Sequence, residues 1–126
     1  VFSTYIGGSR EDTAIGVGLD DMGMIFVGGD THSLDFETAG NPLDTDFNGV
    51  RDVFGQIYDP SGKLRYSTYL GGSDWDRCRF GTTTPEGDMI LVGTTRSTDF
   101  PIRTRTFGKT HNGGFDIFAT RLHVGW

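Results

Sequence analysis

The chain has one cysteine, Cys78, four prolines, three histidines and two tryptophans among its 126 residues. A single cysteine excludes an intrachain disulfide and any thiolate zinc cluster, and as a small apolar side chain Cys78 reads as an inert buried thiol. Positive charge is also scarce, with eleven Lys plus Arg against seventeen Asp plus Glu and a net charge of −6. Nucleic acid and anionic membranes both need clustered Lys and Arg, so neither is expected as a partner, and cations are the better expectation. No apolar run approaches membrane-spanning length, and no charged-then-apolar leader opens the chain. No window carries an apolar stripe at helical spacing. A G-x-S-x-G elbow, a phosphate loop and a clustered Cys/His set are all missing, so catalysis is not expected. The lack of an Asn-x-Ser/Thr acceptor disfavours a eukaryotic secreted origin.

What is present is glycine, twenty of them, with ten Phe and a segment written twice. Phe2 to Ser9 reads FSTYIGGS, and Tyr66 to Ser73, 64 residues on, reads YSTYLGGS. The same offset, without a gap, sets Asp12 over Asp76, Gly23 over Gly87, Gly29 over Gly93, Thr31 over Thr95 and Ser33 over Ser97. It continues with Asp35-Phe36 over Asp99-Phe100, Asn48-Gly49 over Asn112-Gly113, Asp52 over Asp116 and Phe54 over Phe118. Fixed-period self-similarity marks repeat architectures, in which each unit buries its apolar face against a neighbour. Repeat 1 spans about 1–64 and repeat 2 about 65–126 of a single segment.

Short alternating runs bounded by turn residues predict strands. Val1 to Tyr5 is extended and ends at Gly7-Gly8. Asp12 to Leu19 places Ile15, Val17 and Leu19 on one side and Gly16 and Gly18 on the other, a strand with one closely approached face. Asp20-Asp21-Met22-Gly23 turns into Met24 to Val27, which makes a hairpin. Gly28 to Asn48 reads as an irregular stretch. Asp52 to Tyr58, the turn Asp59-Pro60-Ser61-Gly62 and Leu64 to Tyr69 form a second hairpin. The second unit repeats this with Arg77 to Thr83, Met89 to Val92 and Asp116 to Leu122. In its first strand Arg79, Gly81 and Thr83 stand where Ile15, Val17 and Leu19 stood, so that strand has either a register shifted by one or a different environment.

Two antiparallel hairpins per unit make a four-stranded meander, and four-stranded sheets repeated around an axis are β-propeller blades. The predicted fold is therefore all-β, two such blades in an incomplete ring. The sequences YSTYLGGS, a D-x-x-G turn before the second hairpin strand, VGTTRSTDFP at Val92 to Pro101 and NGGFDIF at Asn112 to Phe118 resemble the bacterial SBBP (seven-bladed β-propeller) repeat family across essentially the whole chain. The first copy departs from the pattern at Leu34 and at Glu37, which stands in place of the proline. The resemblance implies a propeller in an extracellular or prokaryotic envelope protein and no established catalytic residues.

In phase, the chain opens on the equivalent of a fourth blade strand and stops just after a third. Two blades cannot close a ring that needs roughly four to eight. Unpaired strand edges invite pairing with another chain. Val1 to Tyr5 is expected to pair beside Asp116 to Leu122 of a neighbouring copy or of a flanking blade, closing a ring or propagating as a fibre. The alternative is a fragment of a larger surface protein or enzyme. An opening Val1 in place of Met is consistent with processing, proteolysis or excision.

The sharpest motif is Asp44-Thr45-Asp46-Phe47-Asn48-Gly49-Val50-Arg51-Asp52. Oxygen-bearing side chains of Asp44, Asp46, Asn48 and Asp52, with the Val50 carbonyl, alternate around a glycine turn as a calcium loop requires, although Gly55 stands where an EF-hand has its bidentate Glu. Calcium is thus the expected cofactor; an Asx-rich turn is the competing explanation. The second unit has Gly108 and Thr110 for Asp44 and Asp46, so no ion is expected there. Asp12, Asp76, Asp35 and Asp99 occur in both copies and read as turn caps. Trp75 and Trp126 lack aromatic counterparts in the other repeat and are candidates for stacking on a sugar ring, which would make the assembled ring a lectin. The expected function is an extracellular, non-catalytic scaffold or adhesion module.

Overall fold

A computed structural model describes residues 1–102, 108 and 110–124. These form an all-β structure of two antiparallel sheets. The first has four strands in the order β1 (Asp12–Leu19), β2 (Ile25–Thr31), β3 (Asp52–Tyr58) and β4 (Leu64–Leu70). The second has three, β5 (Asp76–Thr83), β6 (Met89–Thr95) and β7 (Asp116–Leu122). The sheets divide at Gly71-Gly72, a few residues beyond the repeat boundary near residue 64. Both are plain meanders, as the hairpin turns dictate: Gly23, Gly62 and Gly87 all take positive φ in the tight connections.

The second meander has three strands among the described residues, not the four of a full blade, and Val1 to Tyr5 belongs to no sheet of its own chain, both as the phase of the repeat leads one to expect. The irregular reading of Gly28 to Asn48 requires correction: β2 and β6 run four and three residues beyond the apolar runs that mark them. Gly28-Gly29-Asp30-Thr31 looks like loop sequence, yet every residue pairs with β3, from Gly28 with Gly55 to Thr31 with Asp52.

Each inner strand carries a bulge at the same repeat position, between Ala14 and Gly16 in β1 and between Cys78 and Phe80 in β5. The register of β5 is therefore that of β1, and its different residues answer a different environment. Gly16 and Gly18 lie against the backbone of β5: a Cβ on Gly16 would overlap the Gly81 carbonyl, and one on Gly18 would sit 2.8 Å from Thr83 N. The two inner strands approach so closely that only minimal side chains fit between them. Ile15, Val17 and Leu19 face the other way, into solvent.

One cluster of buried side chains joins the sheets. Phe26, Val53 and Ile57 of the first pack with Cys78, Met89 and Leu91 of the second. Burying each large side chain contributes about 1.5–3 kcal/mol. A smaller cluster, Phe36, Phe54 and Tyr69, anchors the long β2–β3 connection, with the Phe36 and Phe54 rings 4.5 Å apart. Tyr69 Oη accepts from Phe36 N at 2.9 Å and donates to the Ser33 carbonyl at 2.8 Å.

Candidate functional site

The step from β4 into β5 is a polar lattice repeated at the chain's start. Asp76 accepts from Gly72 N (2.8 Å), Thr95 Oγ1 (2.5 Å) and Ser97 Oγ (3.0 Å). Asp12 accepts from Gly8 N, Thr31 and Ser33 in the same way. Asp35 and Asp99 each accept from the backbone and hydroxyl of the serine after the Gly-Gly step, Ser9 and Ser73. These contacts hold both carboxyls below the ordinary carboxylate range. All four shared aspartates thus act as caps on the Gly-Gly steps.

The Asp44 to Asp52 loop connects to this lattice. Asp44 accepts from Asp46 N (2.9 Å) through one oxygen and from Asn48 Nδ2 (3.0 Å) through the other. Asn48 Nδ2 also donates to the Asp46 carbonyl, and Asn48 N donates to Asp52 Oδ2 at 2.8 Å. The Val50 carbonyl accepts from His32 Nδ1 at 2.8 Å. Both Asp44 oxygens and one Asp52 oxygen are engaged within the loop, and the Val50 carbonyl by His32, so a cation there would have to displace the Asn48 amide from Asp44. The described residues hold no cluster of three or more His, Cys, Asp or Glu placed to share a metal ion.

Asp52 stands apart from the rest of the loop. It is completely buried, and its Oδ1 has no hydrogen-bond partner. That oxygen and Asp76 Oδ2 both close on Gly71, where a Cβ would lie 2.7 Å from Asp76 and would overlap Asp52. Two carboxyl groups thus converge at the step between sheets, with no Lys or Arg in ion-pair contact with either among the described residues. Burial, then the neighbouring charges of Asp76, Asp44 and Asp99, push the Asp52 carboxyl up to about 8 against the single opposing hydrogen bond from Asn48. Burial likewise raises Asp76.

A charged network lies beside the loop at the inner ends of the sheets. Arg51 Nε donates to His32 Nε2 at 2.9 Å, and with Nδ1 donating to Val50 this gives His32 the neutral Nδ1–H tautomer. The same guanidinium lies 3.6 Å from Asp30 and 3.5 Å from Glu11. Asp30 in turn accepts from Cys78 N at 3.0 Å, tying the first sheet to the second. Burial raises the Asp30 carboxyl, partly opposed by Arg51. Cys78 is buried and free, its thiol pushed up to about 11 by burial, as an inert core thiol should be.

Trp75 lies in this network rather than in an open groove. The guanidinium carbons of Arg51 and Arg77 lie over its ring, 5.4 and 5.5 Å from the centroid, and His32 meets it edge-on at 5.6 Å. Those guanidinium groups take up aromatic surface that a stacked sugar would use. Trp126 lies outside the described residues. Of the two segments expected to pair with another chain, β7 is hydrogen-bonded only to β6 among the described residues, and Val1 to Tyr5 is exposed.

Sequence reasoning singled out the loop and Trp75 but missed the Asp30–Arg51–His32 network and the Asp52–Asp76 pair. Their signal lies in the repeat itself: Asp30, Arg51 and His32 are replaced 64 residues on by Thr94, Phe115 and Arg96. No family model and no curated protein matches this chain.

Proposed function

We propose that the chain is a non-catalytic β-propeller scaffold or adhesion module whose two sheets are successive blades, completed by strand exchange with further copies. One contrast carries this. FSTYIGGS and YSTYLGGS are nearly the same sequence, yet Tyr69 in β4 is 1% exposed and its counterpart Tyr5 is 104% exposed. The strand beside β4 is β3; its repeat counterpart is β7, whose outer edge has no strand beside it among the described residues. An apolar strand sequence and an unpaired edge of matching register are complementary. Transferring the β3–β4 pairing sets Tyr5 of one copy opposite Phe118 of another, as Tyr69 is opposite Phe54.

Calcium is part of the same proposal, supported by the loop's oxygen pattern and by the orphan Asp52 oxygen. Asp44, Asp46, Asn48, Asp52 and the Val50 carbonyl would hold it, its charge neutralising the buried carboxylates. An extracellular or envelope setting follows from the resemblance to SBBP repeats. Glycan binding draws less support, because Trp75 is already engaged by arginines.

The test is native mass by light scattering at tens of micromolar, with calcium and with chelator, on the chain and on one lacking residues 1–6. Assembly that depends on those residues is expected; a monomer under every condition rules it out.

A further inference from the structure

Two cavities lie at equivalent positions of the repeat. The first, about 230 Å³, is between the sheets; Thr13, Ile15, Asp30 and Arg51 form one wall and Arg77, Cys78 and Arg79 of β5 the other. The second, about 180 Å³, opens on the far face of the second sheet and is lined by Arg77, Arg79, Thr94 and Phe115. Those four stand 64 residues beyond Thr13, Ile15, Asp30 and Arg51. The open cavity is thus one wall of a second junction like the first. The wall that would complete it is the counterpart of Arg77 to Arg79, namely Thr13 to Ile15 of another copy.

The two junctions differ in charge. In the first, Arg51 is balanced by Glu11 and Asp30. In the second, Thr94 replaces Asp30 and Phe115 replaces Arg51, and Arg79 and Arg96 have no carboxylate in ion-pair contact among the described residues, while Arg77 lies over Trp75 and near Asp30. Arg77 Nε is buried without any hydrogen-bond partner. Arg96 lies over the Phe115 ring, 5.6 Å from its centroid. In the inner junction Trp75 meets His32 and Arg51; the counterparts are Glu11 for Trp75, Arg96 for His32 and Phe115 for Arg51. A copy docked in the same geometry therefore brings a carboxylate to the unbalanced arginines.

The apolar surfaces correspond as well. Gly16 and Gly18 face Gly81 and Thr83 across the inner junction. Their counterparts are Phe80 and Thr82 on one free face and Val17 and Leu19 on the other, with Phe80 56% and Val17 69% exposed. Ile117, at 81%, extends the first of these faces.

We infer that the free face of the second sheet binds the first sheet of a second copy of this chain in the register of the inner junction, pairing Glu11 of that copy with Arg96 and packing its Val17 against Phe80. This rests on the self-assembly proposed above and specifies the surface. It is tested by sedimentation equilibrium on the chain and on Glu11→Arg, Arg96→Glu, the double variant and Phe80→Glu. Each single change should weaken association by about tenfold or more, because it sets like charges together or buries a charge, and the double variant should recover most of the loss. Phe80→Glu alters an exposed residue of the free chain, so its effect does not depend on the fold tolerating a change at Glu11. Association of the parent chain that is unaffected by Arg96→Glu and Phe80→Glu, or a double variant no better than its parents, overturns this register while leaving assembly standing. A monomeric parent chain overturns both.

Discussion

Asp52 carries an unusual electrostatic burden for one residue. With its folded carboxyl raised to about 8 from an ordinary value of 3.8, the folded chain holds a proton that the unfolded chain has released across that interval. Its contribution to stability is thus fully present below the ordinary carboxylate range and is lost as pH rises through about 8. Thermal melts at pH 5, 7 and 9 should show a Tm that falls with pH, and Asp52→Asn should flatten the fall, with its largest gain over the parent at pH 9. Calcium would act in the same place: added at pH 8, it should raise the Tm of the parent chain and leave Asp52→Asn unmoved. Tyr69 offers a second measurement. Losing its hydroxyl would strand the buried Phe36 N–H, so Tyr69→Phe should cost about 1–3 kcal/mol in urea unfolding. Tyr5→Phe, in the same sequence context but exposed, should change monomer stability by less than about 0.5 kcal/mol.

At the scale of elements, the inner strands show why one repeat diverges from the other without a change of fold. β1 and β5 share their bulge and register, but β1 gives its glycine face to β5, while β5 turns Phe80 outward to solvent. Position 16 therefore tolerates nothing larger than glycine, whereas its counterpart at 80 accepts phenylalanine. Gly16→Val should push the sheets apart and cost about 3 kcal/mol or more, while Phe80→Gly should leave the melting temperature of the monomer within a few degrees. A circular dichroism melt of each variant under dissociating conditions distinguishes them. The N-terminal segment shows the converse: near-identical sequence, different structure, because a strand needs hydrogen-bond partners that local propensity does not supply.

For the whole molecule, the proposed assembly rests on the exposed apolar faces and on the edge of β7 that no strand borders among the described residues. Val17, Leu19, Phe80 and Ile117, exposed on the two outer faces, are the apolar residues that the proposed assembly would cover. A peptide of residues 1–8 added in excess should compete for the β7 edge and reduce the native mass of the assembly. An assembly unmoved by millimolar peptide would place the contact elsewhere. Raising salt should weaken association in proportion to the Arg96 contact and leave the apolar packing intact.

Much of this was legible from the amino-acid order. The 64-residue repeat, the strands at Asp12, Asp52 and Asp116, the turn glycines and the capping aspartates all follow from local patterns: alternation, turn chemistry and side chains that bond their own neighbourhood. What required the tertiary structure was everything set by proximity between distant residues. The polar ends of β2 and β6 became strand only because β3 and β7 lay beside them. Asp52 acquired its high proton affinity only when folding buried it and brought Asp76 to the same glycine. Val1 to Tyr5 remained outside any sheet because pairing is a property of two segments, and one sequence can specify only its own half.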